Sequence, residues 1–271
     1  MMNTTDTKFA GSVPAIYESH MVPMLFRPYA AMLAERVAAS KPASVLETAA
    51  GTGVVTRALA PLLGADTRYV VTDLNPDMLA QARRLQANGK RLEWRQADAM
   101  NLPFEDAGFD AVLCQFGVMF LPDRPAGYAQ ARRVLRPGGV FHFNAWDDLA
   151  SNVLADAVTR ALTAEFPDDP ILFMDRTPHG YHDTDRIRAD LASGGFDDVG
   201  IQTVTAESRA ATARDVAVAF CQGTPMRGEI EARDPGGLAR CTDIATRYIE
   251  DRWGSGPVAA PMRAHMVVAR A

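Results

Sequence analysis

Residues 45–55 read VLETAAGTGVV. An apolar run ends in an acidic residue, passes two small residues into Gly51-Thr52-Gly53, and resumes as a second apolar run. A chain that turns this sharply from strand to helix presents backbone N–H groups to a ligand. Glycine supplies the backbone angles and the close approach such a turn needs. The feature therefore predicts a strand, a ligand-binding turn and a helix in immediate succession, and the rest of the chain can be read outward from it.

The run RYVVT (68–72) follows as a second strand and delivers Asp73, twenty residues after Gly53. A carboxylate there can accept hydrogen bonds from both ribose hydroxyls of an adenosine-containing cofactor. Asn75 then caps a helix that has Pro76 at its first position. Residues 92–96 and 109–115 read as further strands, the latter nearly continuous in apolar residues, as in a strand buried on both faces. A helix over 126–135, a turn at Arg136-Pro137-Gly138-Gly139 and a fifth strand over 140–146 complete the pattern. Before them, 28–40 reads as a helix, and the helix after the Gly-containing turn is distorted near Pro61. Strands alternating with helices imply a parallel sheet covered on both sides. Beyond 146 the spacing predicts helices over 149–165 and 184–194, a Pro-broken loop over 167–183, and two late strands over 199–206 and 262–269. The expected architecture is α/β: a Rossmann-like, doubly wound sheet of seven strands, mostly parallel, with an antiparallel C-terminal hairpin and helices on both faces. One domain over 1–271 is expected, with an N-terminal cap segment (1–40), a cofactor-binding core (44–146) and inserted lid or substrate elements (147–198 and 207–260).

Which cofactor the turn holds depends on its other residues. The dinucleotide fingerprint wants a small residue three positions past the second glycine, and Thr56 stands there. No G-x-x-x-x-G-K-[ST] is present. Glu47 would repel a pyrophosphate but suits a cation. S-adenosylmethionine carries a sulfonium and an ammonium and no phosphate, so it fits the stretch. Composition narrows the partners. Lys and Arg number 28 against 33 Asp and Glu, a net charge of −5, and the basic residues form no stripe, which argues against nucleic acid. Cys114, Cys221 and Cys241 are widely spaced, so neither a disulfide framework nor a metal site is expected. No apolar run approaches the ~18 residues of a membrane span, and the reading is a cytoplasmic protein, monomeric or homodimeric.

VLETAAGTG resembles the first motif, [DE]-x-G-x-G-x-G, of class I S-adenosylmethionine-dependent methyltransferases. The resemblance continues through TDLNPDML, RQADAMNLPF, FDAVLCQFGVMFLPD and RVLRPGGVF, over about residues 44–146. It is strongest to the small-molecule methyltransferases of ubiquinone and menaquinone biosynthesis. Ala49 departs from the family's usual glycine. The resemblance implies that Ala49, Gly51 and Gly53 line the methionine and ribose portion, and that Glu47 orients the loop and faces the ammonium. It also implies that Asp73 holds the ribose, with Leu74 and Met78 near adenine, Asp98 and the Ala99 N–H meeting the adenine edge, Gln115 beside the methionine, and Tyr17 closing from the N-terminal segment.

Methyl transfer is an in-line displacement at carbon. It needs acceptor, methyl and sulfur held collinear and dry, and a base only when the acceptor must lose a proton. His142, mid-strand, reads as a core histidine. His179, Tyr181 and His182, in TPHGYHD, are the candidates for acceptor-side chemistry, and Phe116, Met119 and Trp146 for the wall of the acceptor pocket. The expected function is methylation of a small apolar or aromatic molecule on oxygen, nitrogen or carbon. Two alternatives stay open on the sequence: a protein of this fold that binds S-adenosylmethionine without transferring methyl, and a nicotinamide-dependent oxidoreductase, which Thr56 and Glu47 disfavour.

Overall fold

A computed structural model describes residues 13–86 and 92–271; the first twelve residues of the expected N-terminal cap segment (1–40) lie outside them. In chain order, α1 (Val13–Ile16) runs through a wider, π-type stretch (Tyr17–Phe26) into α2 (Arg27–Ala39). Then come β1 (Ser44–Glu47), α3 (Val54–Leu59), β2 (Arg68–Asp73), α4 (Pro76–Leu85), β3 (Leu92–Gln96) and β4 (Phe109–Gln115). They are followed by α5 (Arg124–Val134), β5 (Leu135–Trp146), α6 (Val153–Glu165), α7 (Phe173–Arg176) and α8 (Thr184–Ser193). The chain closes with β6 (Asp198–Ala210), α9 (Ala213–Gly223), α10 (Met226–Arg233), α11 (Leu238–Trp253) and β7 (Val258–Arg270).

The strands form one sheet in the order β3-β2-β1-β4-β5-β7-β6. β1 to β5 are parallel, and β7 runs antiparallel to β5 with Asn144 opposite Met266. The expected doubly wound, mostly parallel sheet is present. Several boundaries differ from the sequence reading. Arg136–Gly139, expected as a turn, is strand. Leu135 pairs with Phe109, and Gly138 and Gly139 exchange backbone hydrogen bonds with Ala271, while Gly138 takes a φ of +78° to absorb the kink. The loop expected over 167–183 contains the single turn of α7, and both late strands run longer than their apolar cores. After α3, a tight 3-10 turn (Ala60–Leu62) carries Pro61, as the distortion at that proline anticipates.

The chain divides into two compact units. One comprises Arg27–Trp146, Tyr181–Val204 and Ala264–Ala271, and carries most of the sheet with α2 to α5 and α8. One face of its sheet buries Leu33, Ala34 and Val37 of α2 and Val55 and Leu59 of α3 against Val45, Tyr69, Val71, Leu113 and Met266. Each large aliphatic side chain so buried contributes about 1.5–3 kcal/mol. On the opposite face Tyr128 of α5 stacks on Phe143 with centroids 5.5 Å apart, and Phe141 stacks on Phe196. Gly194, just after α8, permits that layer: a Cβ there would lie 2.5 Å from the Tyr128 Cβ. The other unit comprises the described residues up to Phe26 with Asp147–Gly180 and Thr205–Arg263. In it α9 packs on α11, and α9 begins with a capping box in which Thr212 and Asp215 satisfy each other's backbone N–H groups.

Candidate functional site

Because β1 to β5 are parallel, their carboxyl ends share one edge. The order reverses at β1, whose neighbours are β2 on one side and β4 on the other. Loops leaving such a point diverge and open a crevice. The loop after β1 bridges this divergence: the Thr48 N–H donates to the Leu113 carbonyl at 2.9 Å and the Ala50 N–H to the Thr72 carbonyl at 3.0 Å. Ala49, Gly51 and Gly53 take φ values of +50°, +58° and +80°. At Ala49 a left-handed backbone costs an L-residue about 1–2 kcal/mol, which is the physical reason glycine suits that position. A Cβ on Gly53 would touch the Ala82 Cβ at 3.0 Å, so this glycine lets α3 start against α4. A Cβ on Gly51 would meet nothing within 4 Å, so the loop is open on that side.

Asp73 ends β2 beneath that opening. Its Oδ2 accepts from the Gly51 N–H at 2.7 Å and its Oδ1 from the Asn75 N–H at 2.7 Å. Burial raises its pKa. The Asn75 side chain caps α4 through the Asp77 and Met78 N–H groups. Met78 is buried, whereas Leu74 is 59% exposed, an apolar side chain held out beside the carboxylate. Asp98 and Ala99 are half-buried after β3, where Asp98 Oδ1 accepts from the Met100 N–H at 2.8 Å.

Glu47 is only 1% exposed and lies under the loop. Its Oε2 accepts from the Thr56 hydroxyl at 2.7 Å and from the Tyr69 hydroxyl. Burial pushes its pKa up to about 7, against the lowering effect of the two hydroxyls.

β4 ends in Gln115, half-buried, and the chain then breaks sharply: Phe116 takes a φ of +52°, rare for a bulky side chain. Its ring stacks on Trp146 with centroids 3.8 Å apart and an interplanar angle of 8°, and Tyr29 of α2 stands edge-on to both at 5.5 Å. Gly117 brings this corner against the first loop, since a Cβ on it would lie 2.6 Å from the Ala49 Cβ and 2.7 Å from the Cys114 Sγ. Met119 is buried, and its carbonyl accepts from Arg124. The structure thus gathers Ala49, Gly51, Asp73, Phe116 and Trp146 along the carboxyl edge of the sheet, with Glu47 anchoring the loop from below.

The histidine and tyrosine candidates are spread over both units. His179 is buried in the unit that contains α6, its Nδ1 2.8 Å from the Asp147 carbonyl. Tyr181 is buried in the sheet unit, where its hydroxyl accepts from Tyr128 at 3.1 Å and Arg124 lies 4.2 Å over its ring. His182 is exposed, and its carbonyl accepts from His265. Tyr17 belongs to the same unit as His179 and stacks on Phe26. His142 is a buried histidine whose pKa burial lowers to about 4. Cys114 and Cys221 are buried thiols pushed up to about 11 and about 12. Among the described residues, no group of three or more His, Cys, Asp or Glu side chains is arranged to hold a metal, and no helix is long and apolar enough to cross a membrane.

The sequence reading missed Tyr69, Tyr29 and Gly117. Tyr69 was accessible in principle: Glu47 pairs with Val71, so Tyr69, two residues back, shares the face of Glu47. Tyr29 and Gly117 become site residues only through packing between distant segments.

Residues 45–139 match the family model described as a methyltransferase domain. Over 100 residues the chain is 39% identical to the ubiquinone/menaquinone biosynthesis C-methyltransferase UbiE of Hahella chejuensis, covering 36% of this chain and 40% of that one. The demethylmenaquinone methyltransferase of Clavibacter sepedonicus is 40% identical over 95 residues, 35% of this chain and 38% of that one. The matches thus span about two fifths of the length of these curated relatives. The likeness in fold extends further. Phosphoethanolamine N-methyltransferase 2 of Haemonchus contortus, solved with phosphomonomethylethanolamine and S-adenosylhomocysteine, superposes with a TM-score of 0.61 at 16% identity, covering 98% of this chain and 59% of that one.

Proposed function

We propose that the chain is a cytoplasmic S-adenosylmethionine-dependent methyltransferase acting on a small, apolar or aromatic acceptor. The observation that carries the reading is the Gly51–Asp73 hydrogen bond. It ties an open-faced glycine loop to a carboxylate at the end of the next strand, the pairing a ribose diol needs. The residues fit the cofactor. Asp73 keeps lone pairs beyond those used by Gly51 and Asn75, Leu74 supplies apolar surface for a purine face, and Asp98 and Ala99 supply an acceptor and a donor for its edge. The Asp73 carboxylate beside the loop favours a cationic group over a pyrophosphate. When bound, S-adenosylmethionine supplies an electrophilic methyl group on a sulfonium.

The protein's part is to bind, orient and exclude water. The Thr48 and Ala50 backbone bonds fix the loop to both neighbouring strands, so its N–H groups are aimed without reorganisation. Phe116, Trp146 and Tyr29 form an apolar wall along the same edge, which suits an acceptor with a planar ring. Glu47 acts through the loop, holding α3 by Thr56 and β2 by Tyr69.

Calorimetric titration of S-adenosylmethionine and S-adenosylhomocysteine into the wild type and Asp73→Ala tests the reading. Micromolar binding that weakens at least about a hundredfold in the variant, the loss of a doubly used charged acceptor, is expected. A wild type that binds neither compound overturns it.

A further inference from the structure

The turn built on Gly51 and Gly53 is held closed by a residue of the helix it leads into. The peptide between Thr52 and Gly53 is gripped at both ends. Its N–H donates to the Ala50 carbonyl at 2.9 Å, and its carbonyl, that of Thr52, accepts from the Arg57 guanidinium at 2.6 Å. The backbone N–H of Arg57 donates to the Gly53 carbonyl at 3.0 Å. One residue of α3 thus fixes two successive carbonyls of the loop. Arg57 is half-buried, and Thr52 is buried with a hydroxyl that has no hydrogen-bond partner among the described residues. The anchor at Thr52 is therefore its carbonyl and not its side chain.

The glycines create the need for that anchor. Turning the 52–53 peptide over requires a change of ψ at Thr52 and of φ at Gly53, and glycine takes positive and negative φ about equally readily. The φ of +80° at Gly53 is one of two accessible choices. The other would carry the Gly53 N–H away from Ala50 and open the turn from which Gly51 donates to Asp73. A charge-assisted hydrogen bond to the Thr52 carbonyl opposes the change.

Charge by itself gives no reason for an arginine here. Burial raises the Glu47 pKa and the Arg57 charge is a lesser influence that lowers it, so the guanidinium stands within electrostatic reach of the loop's underside. A cation in that place works against binding a cationic cofactor. The carbonyl that Arg57 holds explains its position; its charge does not.

We propose that Arg57 is a positioning residue for the cofactor, locking the Thr52–Gly53 peptide so that the loop is preformed for binding, a role that rests on the S-adenosylmethionine reading above.

Calorimetric titration of S-adenosylmethionine and S-adenosylhomocysteine into the full-length wild type, Arg57→Met and Arg57→Lys tests it. Methionine keeps an unbranched stem and removes the donors, whereas lysine keeps a donor and the charge. A loop preformed for only a fraction of the time binds in proportion to that fraction. Arg57→Met should therefore weaken both ligands by the same factor, at least about tenfold, the worth of one hydrogen bond from a charged group. Removal of a repelling charge would do the opposite, tightening binding, and more so for the sulfonium than for the neutral thioether. Lysine should recover most of the loss. In the unliganded proteins, hydrogen exchange at the Gly53 amide should quicken in the methionine variant and much less in the lysine variant. Should Arg57→Met not fold, Arg57→Ala reports the same comparison. Unchanged or tighter binding by the variant overturns the proposal, as do unequal factors for the two ligands, absence of rescue by lysine, or unchanged exchange at Gly53. A wild type that binds neither ligand overturns the cofactor reading and this role together, while a wild type that binds both, beside an unaffected variant, overturns this role alone.

Discussion

Replacing Glu47 by glutamine should change how stability depends on pH, and the size follows from the geometry. The Glu47 carboxylate is sealed under the loop with hydroxyl donors from Thr56 and Tyr69. Its pKa stands at about 7 in the folded protein against an ordinary 4.5, and desolvation of the charge is the dominant cause. Since the folded value is the higher, the folded state binds more protons than the unfolded chain between these two pH values. Stability from this group is therefore fully present below pH 4.5 and is lost as pH rises towards and through 7. At about 1.4 kcal/mol per pH unit, the gap is worth roughly 3 kcal/mol. Glutamine cannot ionise and still offers an oxygen to both hydroxyls. The stability of Glu47→Gln minus that of the wild type should thus grow by roughly 3 kcal/mol between pH 4.5 and pH 8, equivalent to roughly 6–12 °C in Tm for a chain of this size. Urea denaturation of both proteins at half-unit pH steps measures the difference, in which the other carboxylates cancel. Glu93→Gln serves as a control of opposite sign, because Arg68 lowers the Glu93 pKa through an exposed ion pair; its effect should be small. Parallel curves for wild type and Glu47→Gln across this range would refute the reasoning, since they would mean that the carboxylate is hydrated.

Other consequences are as direct. Gly117→Ala should destabilise by about 1–3 kcal/mol, because its Cβ would meet the Ala49 Cβ and the Cys114 Sγ; adding Ala49→Gly should recover part of the loss in denaturant melts, and full additivity of the two changes would contradict the contact. Ala49→Gly alone should be neutral or stabilising by about 1 kcal/mol, as the left-handed backbone at 49 is relieved. Thr212→Ala removes one half of the capping box at the start of α9 and should cost about 1 kcal/mol. Cys114, Cys221 and Cys241 are all buried, so a thiol reagent should label none of them until the protein unfolds; rapid labelling of a native thiol would show that its burial is transient.

The parallel sheet, the glycine turn and Asp73 were all legible from residue order, because each is a local matter. A strand reads as an apolar run, a left-handed turn asks for glycine, and a carboxylate at a strand's end lies where the next loop begins. Ala49 shows the limit even here: the sequence records a departure from glycine, while the φ of +50° shows that the backbone kept the glycine conformation and that alanine bears its cost. Arg136–Gly139 shows the limit in the other direction. Pro and two glycines specify a turn locally, but pairing with Phe109 and Ala271 drew them into the sheet.

The rest was decided by which distant segments meet. Glu47 could be assigned to a ligand from its place in the motif, yet its burial depends on Tyr69 and Thr56 arriving from β2 and α3. The Tyr29–Phe116–Trp146 cluster joins three segments that have no spacing in common. Asn144 is an unremarked polar residue in an apolar strand until β4, β7 and α2 close around it. Sequence alone determined the backbone scaffold, because hydrogen-bonding periodicity and turn chemistry act over a few residues. Tertiary structure decided which polar groups are buried and which are paired, because desolvation depends on every chain segment that excludes water from them.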